Sequence, residues 1–185
     1  TAGVCAGPSS AAAMTTDDKL SFIAERIRNV PDFPKPGIMF KDITPLLADP
    51  VGLDYSLSLL ADAARALQPT LIVGVESRGF IFGVPLADRL RLGFAPVRKP
   101  GKLPYRCVRD EYELEYGKGV LELHEDAVAG HNVLIVDDLL ATGGTAECAA
   151  RLCERQGARV VGFAFVIELA FLAGRKKLGS RPIHS

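Results

Sequence analysis

The stretch that decides the fold class is VLIVDDLLATGGT, residues 133–145. Its first four residues are apolar, which is typical of a parallel strand buried on both faces. Asp137 and Asp138 follow at the end of that strand, and a turn of small residues then leads directly into a helix. A buried strand joined in this way to a helix predicts an α/β fold with a mostly parallel sheet.

The turn after the two aspartates has the composition of a phosphate-binding loop. Gly143 and Gly144 let backbone N–H groups approach an anion closely, and Thr142 and Thr145 add hydroxyl donors. The helix that follows presents the positive end of its dipole, which contributes about 0.3–1 kcal/mol per interaction. The predicted phosphate-binding residues are Ala141, Thr142, Gly143, Gly144 and Thr145.

The acidic pair beside the turn narrows the choice of ligand. Next to a phosphate, the carboxylates of Asp137 and Asp138 can accept hydrogen bonds from ribose hydroxyls and influence a nearby Mg²⁺ ion. The chain contains neither GxxxxGK(S/T) nor GxGxxG, which excludes the Walker and Rossmann loops. The remaining alternative is an ordinary capped turn with two solvated acids, which the preceding apolar strand disfavours.

Other apolar runs continue the alternation of strands and helices. Buried strands are predicted at residues 71–75, 95–97 and 160–167. Helices are predicted at residues 17–28, 53–67, 79–90 and 146–153, with a further short helix that ends in residues 175–177. Residues 99–117 are predicted to form a long loop, which inside a domain is usually functional or mobile. Because ligands of parallel sheets bind beyond the carboxyl ends of the strands, we expect the site at that edge.

The composition supports one folded domain and excludes several classes of protein. The chain has 185 residues, 48% of them apolar, which is enough for a single core. Lys+Arg and Asp+Glu both number 22, and the zero net charge argues against a general nucleic-acid-binding protein. No apolar run reaches the about 18 residues of a membrane span. We predict a flexible tail at residues 1–17 and a single domain at residues 18–185.

Cysteine usage indicates the compartment. The four cysteines have no CxxC spacing and no obvious pairing, so neither a structural zinc site nor a disulfide framework is expected. Residues 1–13 carry no Lys or Arg, unlike a signal or transit peptide. A reducing compartment, the cytoplasm, is therefore the predicted location.

Several segments resemble the type I phosphoribosyltransferase family. Besides residues 137–145, they read FPKPGIMFKDI (33–43), ESRGF (76–80), RKPGKLP (98–104) and LEYG (114–117). Their occurrence in this order is far more specific than any one of them. The resemblance implies an α/β fold with a mostly parallel central sheet flanked by helices, a small N-terminal hood and a flexible catalytic loop.

Within that family, these segments most resemble the members that use adenine. The resemblance implies transfer of ribose 5-phosphate from 5-phosphoribosyl 1-diphosphate to adenine, a purine-salvage reaction that yields AMP and diphosphate. It also implies Mg²⁺ as cofactor, held through the substrate and through water near Asp137 and Asp138 rather than by a direct protein ligand. The family further implies a homodimer.

The resemblance assigns roles to residues outside the phosphate turn. Ser77 and Arg78 would bind the diphosphate, a task that suits the planar fork of arginine. The cations Arg98, Lys99 and Lys102 would reach the same group, partly across the dimer interface.

The catalytic loop and the adenine pocket are likewise implied by the resemblance. Glu115 would handle a proton at N7 of adenine. The implied catalytic residues are Glu115, Tyr116, Asp137 and Asp138. The implied adenine-binding residues are Met39, Phe40, Lys41 and Leu169. Many relatives carry arginine at the position of Lys41, and lysine keeps the charge but loses the fork.

Two other functions are compatible with this fold. One is transfer to hypoxanthine, guanine or another base, which the FKDI and LEYG segments disfavour. The other is a non-catalytic sensor of the sugar diphosphate, which is expected to carry an added DNA-binding domain or a basic face. Neither feature is predicted here, so the enzyme is the favoured interpretation.

Overall fold

The computed structural model describes residues 14–113 and 118–185, and these divide into two units at Ser56/Leu57. The first unit holds α1 (Thr16–Ala24), β1 (Arg28–Pro31), β2 (Met39–Asp42), α2 (Thr44–Ala48) and the start of α3 (Pro50–Leu67). The second unit holds the rest of α3, β3 (Leu71–Val75), α4 (Gly79–Leu90), β4 (Gly93–Val97), β5 (Cys107–Glu113), β6 (Lys118–His124), β7 (Asn132–Leu140), α5 (Gly144–Arg155), β8 (Arg159–Glu168) and β9 (Ile183–His184).

Helix α1 of the first unit begins at a capping box. The N–H of Asp18 donates to Oγ1 of Thr15 at 3.2 Å, and the N–H of Thr15 donates to Oδ2 of Asp18 at 3.0 Å. The helix includes residues 16 and 17 of the predicted tail. It ends at Ala24, not near residue 28 as predicted, because β1 pairs there as an antiparallel strand with β2.

The five-stranded sheet of the second unit is parallel throughout, in the order β4-β3-β7-β8-β9. All five residues of β3 are buried, as expected for a strand covered on both faces. Val73 of this strand lies opposite Ala95 of β4 and Ile135 of β7. The predicted α/β class, with a mostly parallel sheet flanked by helices, is confirmed. Because the strands are parallel, the loops after β3, β4 and β7 leave from one edge.

Helices α4 and α5 pack on the sheet, α4 against β3 and β7 and α5 against β7 and β8. Helix α4 has the bounds that the sequence predicts. On α5, the side chains of Ala149, Ala150 and Cys153 are fully buried, in agreement with their helical spacing. They belong to one core cluster with Val73 and Ile135 of the sheet.

The predicted loop at residues 99–117 is wrong over part of its length. Strand β5 pairs antiparallel with β6, with Asp110 opposite Leu121; these two strands are called the hairpin below. Along β5 the residues alternate between half-buried and exposed, yet the half-buried set includes Asp110. Because a charged residue occupies an inward position, the sequence lacks the apolar alternation that identifies a strand.

The C-terminal segment also differs from the prediction. In place of one short helix, it has two 3₁₀ helices, Ala170–Leu172 and Gly174–Leu178. Strand β9 then pairs with β8, with Ile183 opposite Phe163. Within residues 14–113 and 118–185, no helix has the length and apolar character that crossing a membrane requires.

Candidate active site

A cavity of about 190 Å³ lies at the carboxyl end of β7, the edge where the sequence predicts the site. Its wall includes the whole phosphate turn, residues 141–145, and both members of the acidic pair. Arg78, from the loop after β3, also lines it. The structure thus brings together residues that the sequence assigns to a phosphate site and to a diphosphate site.

The phosphate turn keeps its shape through a close approach to the C-terminal segment. Gly143 has φ of +82°, in the left-handed region that favours glycine, and it is the N-cap of α5. A Cβ atom at Gly143 would lie 2.5 Å from the carbonyl oxygen of Gly174, and a Cβ at Gly174 would overlap the carbonyl oxygen of Ala141. Glycine at both positions lets the two backbones touch.

A second glycine contact joins the two loops that line the cavity. A Cβ atom at Gly79 would lie 2.6 Å from the carbonyl oxygen of Val136 and 3.1 Å from Oδ1 of Asp137. The missing side chain therefore allows the start of α4 to pack on the end of β7. This approach places Arg78, the N-cap residue of α4, beside the acidic pair.

Arg78 forms an ion pair with one member of the acidic pair, Asp138. Oδ2 of Asp138 lies 2.8 Å from Nε of Arg78, and only 4% of the Asp138 side chain is exposed. Oδ1 of Asp137 accepts a hydrogen bond from the N–H of Asp138 at 2.9 Å. Burial raises the pKa of Asp138, and the guanidinium of Arg78 offsets part of that rise. Burial raises the pKa of Asp137 well above its ordinary range, and the charge of Asp138 adds to the effect.

The raised pKa values of Asp137 and Asp138 indicate which kind of ligand the pair can bind. Two adjacent carboxylates, one buried and one half-buried, carry two negative charges only at a cost in free energy, and they titrate as a pair rather than independently. A cation or a set of hydroxyl donors in the cavity would stabilise the doubly ionised form. The geometry therefore suits a polyhydroxylated ligand that arrives with a metal ion.

The pair also fits a magnesium ion held mainly by a bound diphosphate. Apart from the ion pair with Arg78, which is not aligned as a hydrogen bond, Oδ2 of Asp138 has no partner among the described residues. Those residues contain no group of three or more His, Cys, Asp or Glu side chains arranged to hold a metal. Mg²⁺ in proteins is commonly held by one or two carboxylates, with substrate phosphates and water completing its coordination.

The cationic loop at residues 98–102 is fixed by two carboxylates, those of half-buried Glu76 and buried Glu122. Oε2 of Glu76 accepts hydrogen bonds from Nε of Arg98 at 3.1 Å and from the N–H of Lys99 at 3.0 Å. Burial alone would raise the pKa of Glu76, but these two hydrogen bonds, together with the charges of Arg98 and Lys102, outweigh burial and the pKa is lowered. Glu122 of β6, with 2% of its side chain exposed, accepts from the N–H of Gly101 at 3.0 Å.

The sequence did not single out either glutamate. Glu76 opens the ESRGF segment, so its position was visible in the sequence. Its contact with Arg98 was not visible, because the two residues are 22 positions apart and meet only across neighbouring strands. Glu122 is likewise distant, 21 positions from Gly101 in the turn that it holds.

The three predicted cations do not behave alike. The guanidinium of Arg98 is engaged with Glu76 and donates to the carbonyl oxygen of Lys102 at 3.1 Å. Lys99 and Lys102, in contrast, are exposed. Neither lysine nor Arg98 lines the cavity at the end of β7. Arg98 therefore shapes the loop, and contact of the three with a diphosphate stays a prediction.

The predicted adenine-binding residues belong to different units. In the first unit, Met39 is exposed, the ring of Phe40 packs edge-on against Phe33 at 5.1 Å, and Nζ of Lys41 donates to Oδ1 of Asn29 at 2.5 Å.

In the second unit, Leu169 follows β8, and its N–H donates to the carbonyl oxygen of Leu140 at 2.9 Å. That hydrogen bond ties Leu169 to the last residue of β7, directly before the phosphate turn. A common adenine pocket formed with the first unit stays a prediction.

Glu115 and Tyr116 lie outside the described residues, so their catalytic roles also stay predictions. The adjoining part of the hairpin reaches the phosphate turn. A Cβ atom at Gly144 would lie 3.5 Å from the carbonyl oxygen of Glu113 and 3.6 Å from Cδ2 of Tyr112. This contact was not visible in the sequence, because the residues of β5 were predicted to form a loop.

The fold and the cavity together define a class of protein. A parallel sheet carries a phosphate turn behind an acidic pair at the end of one strand and an arginine loop at the end of its neighbour. This is the arrangement of a phosphoribosyltransferase. In agreement, the phosphoribosyl transferase domain family matches residues 57–179.

Comparison with individual relatives is more specific. An adenine phosphoribosyltransferase of Crocosphaera subtropica is 60% identical over 162 residues, which are 86% of this chain and 94% of that protein. One of Gloeobacter violaceus is 58% identical over 161 residues, with coverage of 86% and 94%. The chain belongs to the adenine phosphoribosyltransferase family.

Solved structures agree with this assignment. The crystal structure of adenine phosphoribosyltransferase from Thermoanaerobacter pseudethanolicus has a TM-score of 0.86 and 54% identity, covering 89% of this chain and 96% of that one. The Saccharomyces cerevisiae enzyme, complexed with an imino-altritol bisphosphate and adenine, has a TM-score of 0.85 and 41% identity, covering 90% and 97%.

Proposed function

We propose that this protein transfers the 5-phosphoribosyl group from 5-phosphoribosyl 1-diphosphate to adenine, forming AMP and diphosphate. One observation carries the proposal: the phosphate turn, the acidic pair and Arg78 line a single cavity at the carboxyl edge of the sheet. The family membership supports the choice of reaction, and its 60% identical relative supports the choice of base.

The phosphate turn would hold the 5-phosphate of the sugar. Its backbone N–H groups and the start of α5 present partial positive charge to an anion, and the hydroxyls of Thr142 and Thr145 add donors. A fixed phosphate holds the sugar with its anomeric carbon in one place. Alignment of two substrates in this way can supply about 7–11 kcal/mol of the barrier reduction.

The acidic pair would hold the ribose hydroxyls beside that phosphate. A carboxylate accepts hydrogen bonds from hydroxyls, so Asp137 and Asp138 are suited to orient the ring. Positive charge develops on the anomeric carbon as the diphosphate departs. The two carboxylates on the cavity wall would stabilise that charge.

The cations would bind the other end of the donor. Arg78 lies on the cavity wall and presents a planar fork that matches two phosphate oxygens. We propose that Lys99 and Lys102, whose side chains are exposed, contact the diphosphate, while Arg98 holds their loop. Mg²⁺ bound to the diphosphate and held near Asp137 and Asp138 would neutralise the leaving group.

Adenine would be positioned by Met39, Phe40, Lys41 and Leu169, and its N7 proton would be handled by Glu115, with Tyr116 beside it. These assignments rest on the resemblance of the FKDI and LEYG segments. A positioned acid or base is typically worth about 10²–10⁴ in rate.

The assembly and the compartment belong to the same proposal. We propose a homodimer, on the ground of the family. We propose the cytoplasm, since Cys107, Cys148 and Cys153 are free among the described residues, as is usual in a reducing compartment.

The deciding experiment measures AMP formation from 5-phosphoribosyl 1-diphosphate with adenine or hypoxanthine, each with and without Mg²⁺. We expect AMP with adenine and Mg²⁺, and a fall to background when the metal is chelated. Preference for hypoxanthine would contradict the assigned acceptor. Folded protein that makes no nucleotide from either base would favour the non-catalytic sensor.

A further inference from the structure

Arg151, two turns into α5, joins that helix to the hairpin. Its Nε donates to Oδ2 of Asp110 at 2.7 Å, and its Nη2 donates to the carbonyl oxygen of Glu111 at 2.8 Å. Its Nη1 pairs with Glu147, one turn earlier on α5. The three nitrogens of one guanidinium therefore hold two successive residues of β5 and one residue of the helix.

This contact is more than a surface ion pair. The side chain of Arg151 is 37% exposed and that of Asp110 is 20% exposed, so solvent screens the pair only in part. Charge-assisted hydrogen bonds from a planar fork fix an angle as well as a distance. Among the described residues, Arg155 is the other polar link from α5 to the hairpin: its Nη1 donates to the carbonyl oxygen of Arg109 at 3.2 Å and lies 3.6 Å from Asp110.

The position of the hairpin matters because both partners lead to the proposed active site. Helix α5 starts at the phosphate turn, and the hairpin end at Glu113 lies against Gly144, the first residue of α5. Glu115 follows two positions after Glu113 in the sequence. The angle between α5 and β5 thus sets where the described end of β5 lies relative to the phosphate turn.

We propose that Arg151 is a positioning residue that sets the hairpin against the phosphate-binding helix and so places the segment with Glu115. It touches neither the cavity at the end of β7 nor a residue assigned to substrate binding. Its effect on turnover rests on the proposed function, whereas its effect on the order of the hairpin does not.

The test compares Arg151→Gln and Arg151→Lys with Arg181→Gln as a matched control. Nη2 of Arg181 donates to Oε1 of Glu154 at 2.7 Å, so it also holds α5 by an arginine–glutamate pair, but to the C-terminal segment. Each variant is assayed for AMP formation, for binding of 5-phosphoribosyl 1-diphosphate and for amide hydrogen exchange.

We expect Arg151→Gln to lower kcat by about 10- to 100-fold with little change in donor affinity, because a displacement of about 1 Å can have that effect. Amides of β5 and β6 should exchange about 10-fold faster or more, while those of β3 and β7 stay unchanged. Arg151→Lys should recover part of kcat, since it can pair with Asp110 but lacks the fork. Arg181→Gln should leave kcat and hairpin exchange as in the unmodified protein.

Unchanged hairpin exchange in Arg151→Gln would overturn the proposal whatever the activity. Equal losses of kcat in Arg151→Gln and Arg181→Gln would reduce Arg151 to general support of α5. If Arg151→Gln fails to unfold cooperatively, Asp110→Asn, which removes the partner from the hairpin side, takes its place with the same expectations. Failure of the unmodified protein to make AMP would refute the proposed function alone, because the exchange comparison still applies.

Discussion

The phosphate turn and the hairpin meet at Gly144, yet they are built by different means. The turn is a local structure, in which a buried strand, three small residues and a helix start are consecutive in the sequence. The hairpin depends on partners from elsewhere, with Arg151 and Arg155 of α5 holding β5 from 40 or more positions away. A structure formed by consecutive residues can be predicted from one stretch of sequence, whereas a structure that depends on distant residues cannot.

The two regions also carry charge differently. At the turn, one arginine serves two aspartates, and desolvation is the main cause that raises the pKa of each aspartate. On the hairpin, each inward charge has a partner, such as Arg151 for Asp110 and Arg109 for Glu122. The turn thus holds charge in a state that a ligand would stabilise, while the hairpin uses charge to maintain a shape.

The largest expected effect lies at the turn. Replacing both acids, Asp137→Asn with Asp138→Asn, should lower kcat/KM for AMP formation by about 10³-fold or more while leaving the fold intact. Circular dichroism and cooperative unfolding check the fold. Asp88→Asn, an exposed acid on α4, serves as the control and should retain full activity. Near-normal rates in the double variant would remove the acidic pair from the mechanism.

The second-largest effect is expected at Glu115, the proposed acid–base residue, which lies in the sequence between the two strands of the hairpin. Glu115→Gln keeps the size of the side chain and removes its charge, so kcat should fall by about 10²–10⁴-fold. Affinity for 5-phosphoribosyl 1-diphosphate, measured by calorimetry, should change little. A variant in which only KM moves would mean that Glu115 binds substrate rather than handling a proton.

A third prediction isolates the backbone contact behind the turn. Gly143 and Gly157 have φ of +82° and +79°, but a Cβ would meet Gly174 only at the first and open space at the second. Both alanine variants should lose about 1–2 kcal/mol of stability from backbone strain. Only Gly143→Ala should also raise KM for the donor, by about 10-fold, because the turn must shift.

Equal KM values in the two alanine variants would mean that packing of Gly174 on the turn has no part in phosphate binding. Steady-state kinetics at varied donor concentration and thermal unfolding of both variants make this comparison.

The smallest expected effect concerns stability and pH. Because burial raises the pKa of Asp137 in the folded state, its contribution favours folding below its ordinary pKa of 3.8 and is lost as pH rises through the folded-state value. Asp137→Asn removes a charge that is unfavourable at neutral pH and keeps an acceptor for the N–H of Asp138. Without ligand, its Tm should therefore rise at pH 7, by about 2–4 °C for each 1 kcal/mol.

At pH 4 the same substitution should have a smaller effect on Tm, because the native carboxyl is then largely protonated. Calorimetric scans at the two pH values measure the difference. If Asp137→Asn instead lowers Tm by the same amount at pH 7 and at pH 4, the raised pKa of Asp137 is contradicted. The main effect would then be on the hydrogen bond from the N–H of Asp138.

The sequence alone determined those features whose cause is local. The apolar runs at β3, β7 and β8 predicted a parallel sheet, since only a strand covered on both faces has no polar alternation. The residues at 137–145 predicted the phosphate turn, and the ESRGF segment predicted Arg78. Parallel strands bring their carboxyl ends to one edge, so the sequence also placed these residues at that edge, whereas the structure showed that β3 and β7 are neighbours.

The tertiary structure decided what depends on residues distant in sequence. Because Asp110 occupies an inward position of β5, the sequence lacks the apolar alternation of a strand. Asp110 can face inward because Arg151 donates a hydrogen bond to it there. In the sequence, Arg98 has no visible partner. In the structure, its Nε donates a hydrogen bond to Glu76 across neighbouring strands. In both cases the role of a charged side chain depends on its partner. A charge that is paired and partly shielded from water fixes the local geometry, whereas a fully solvated charge does not.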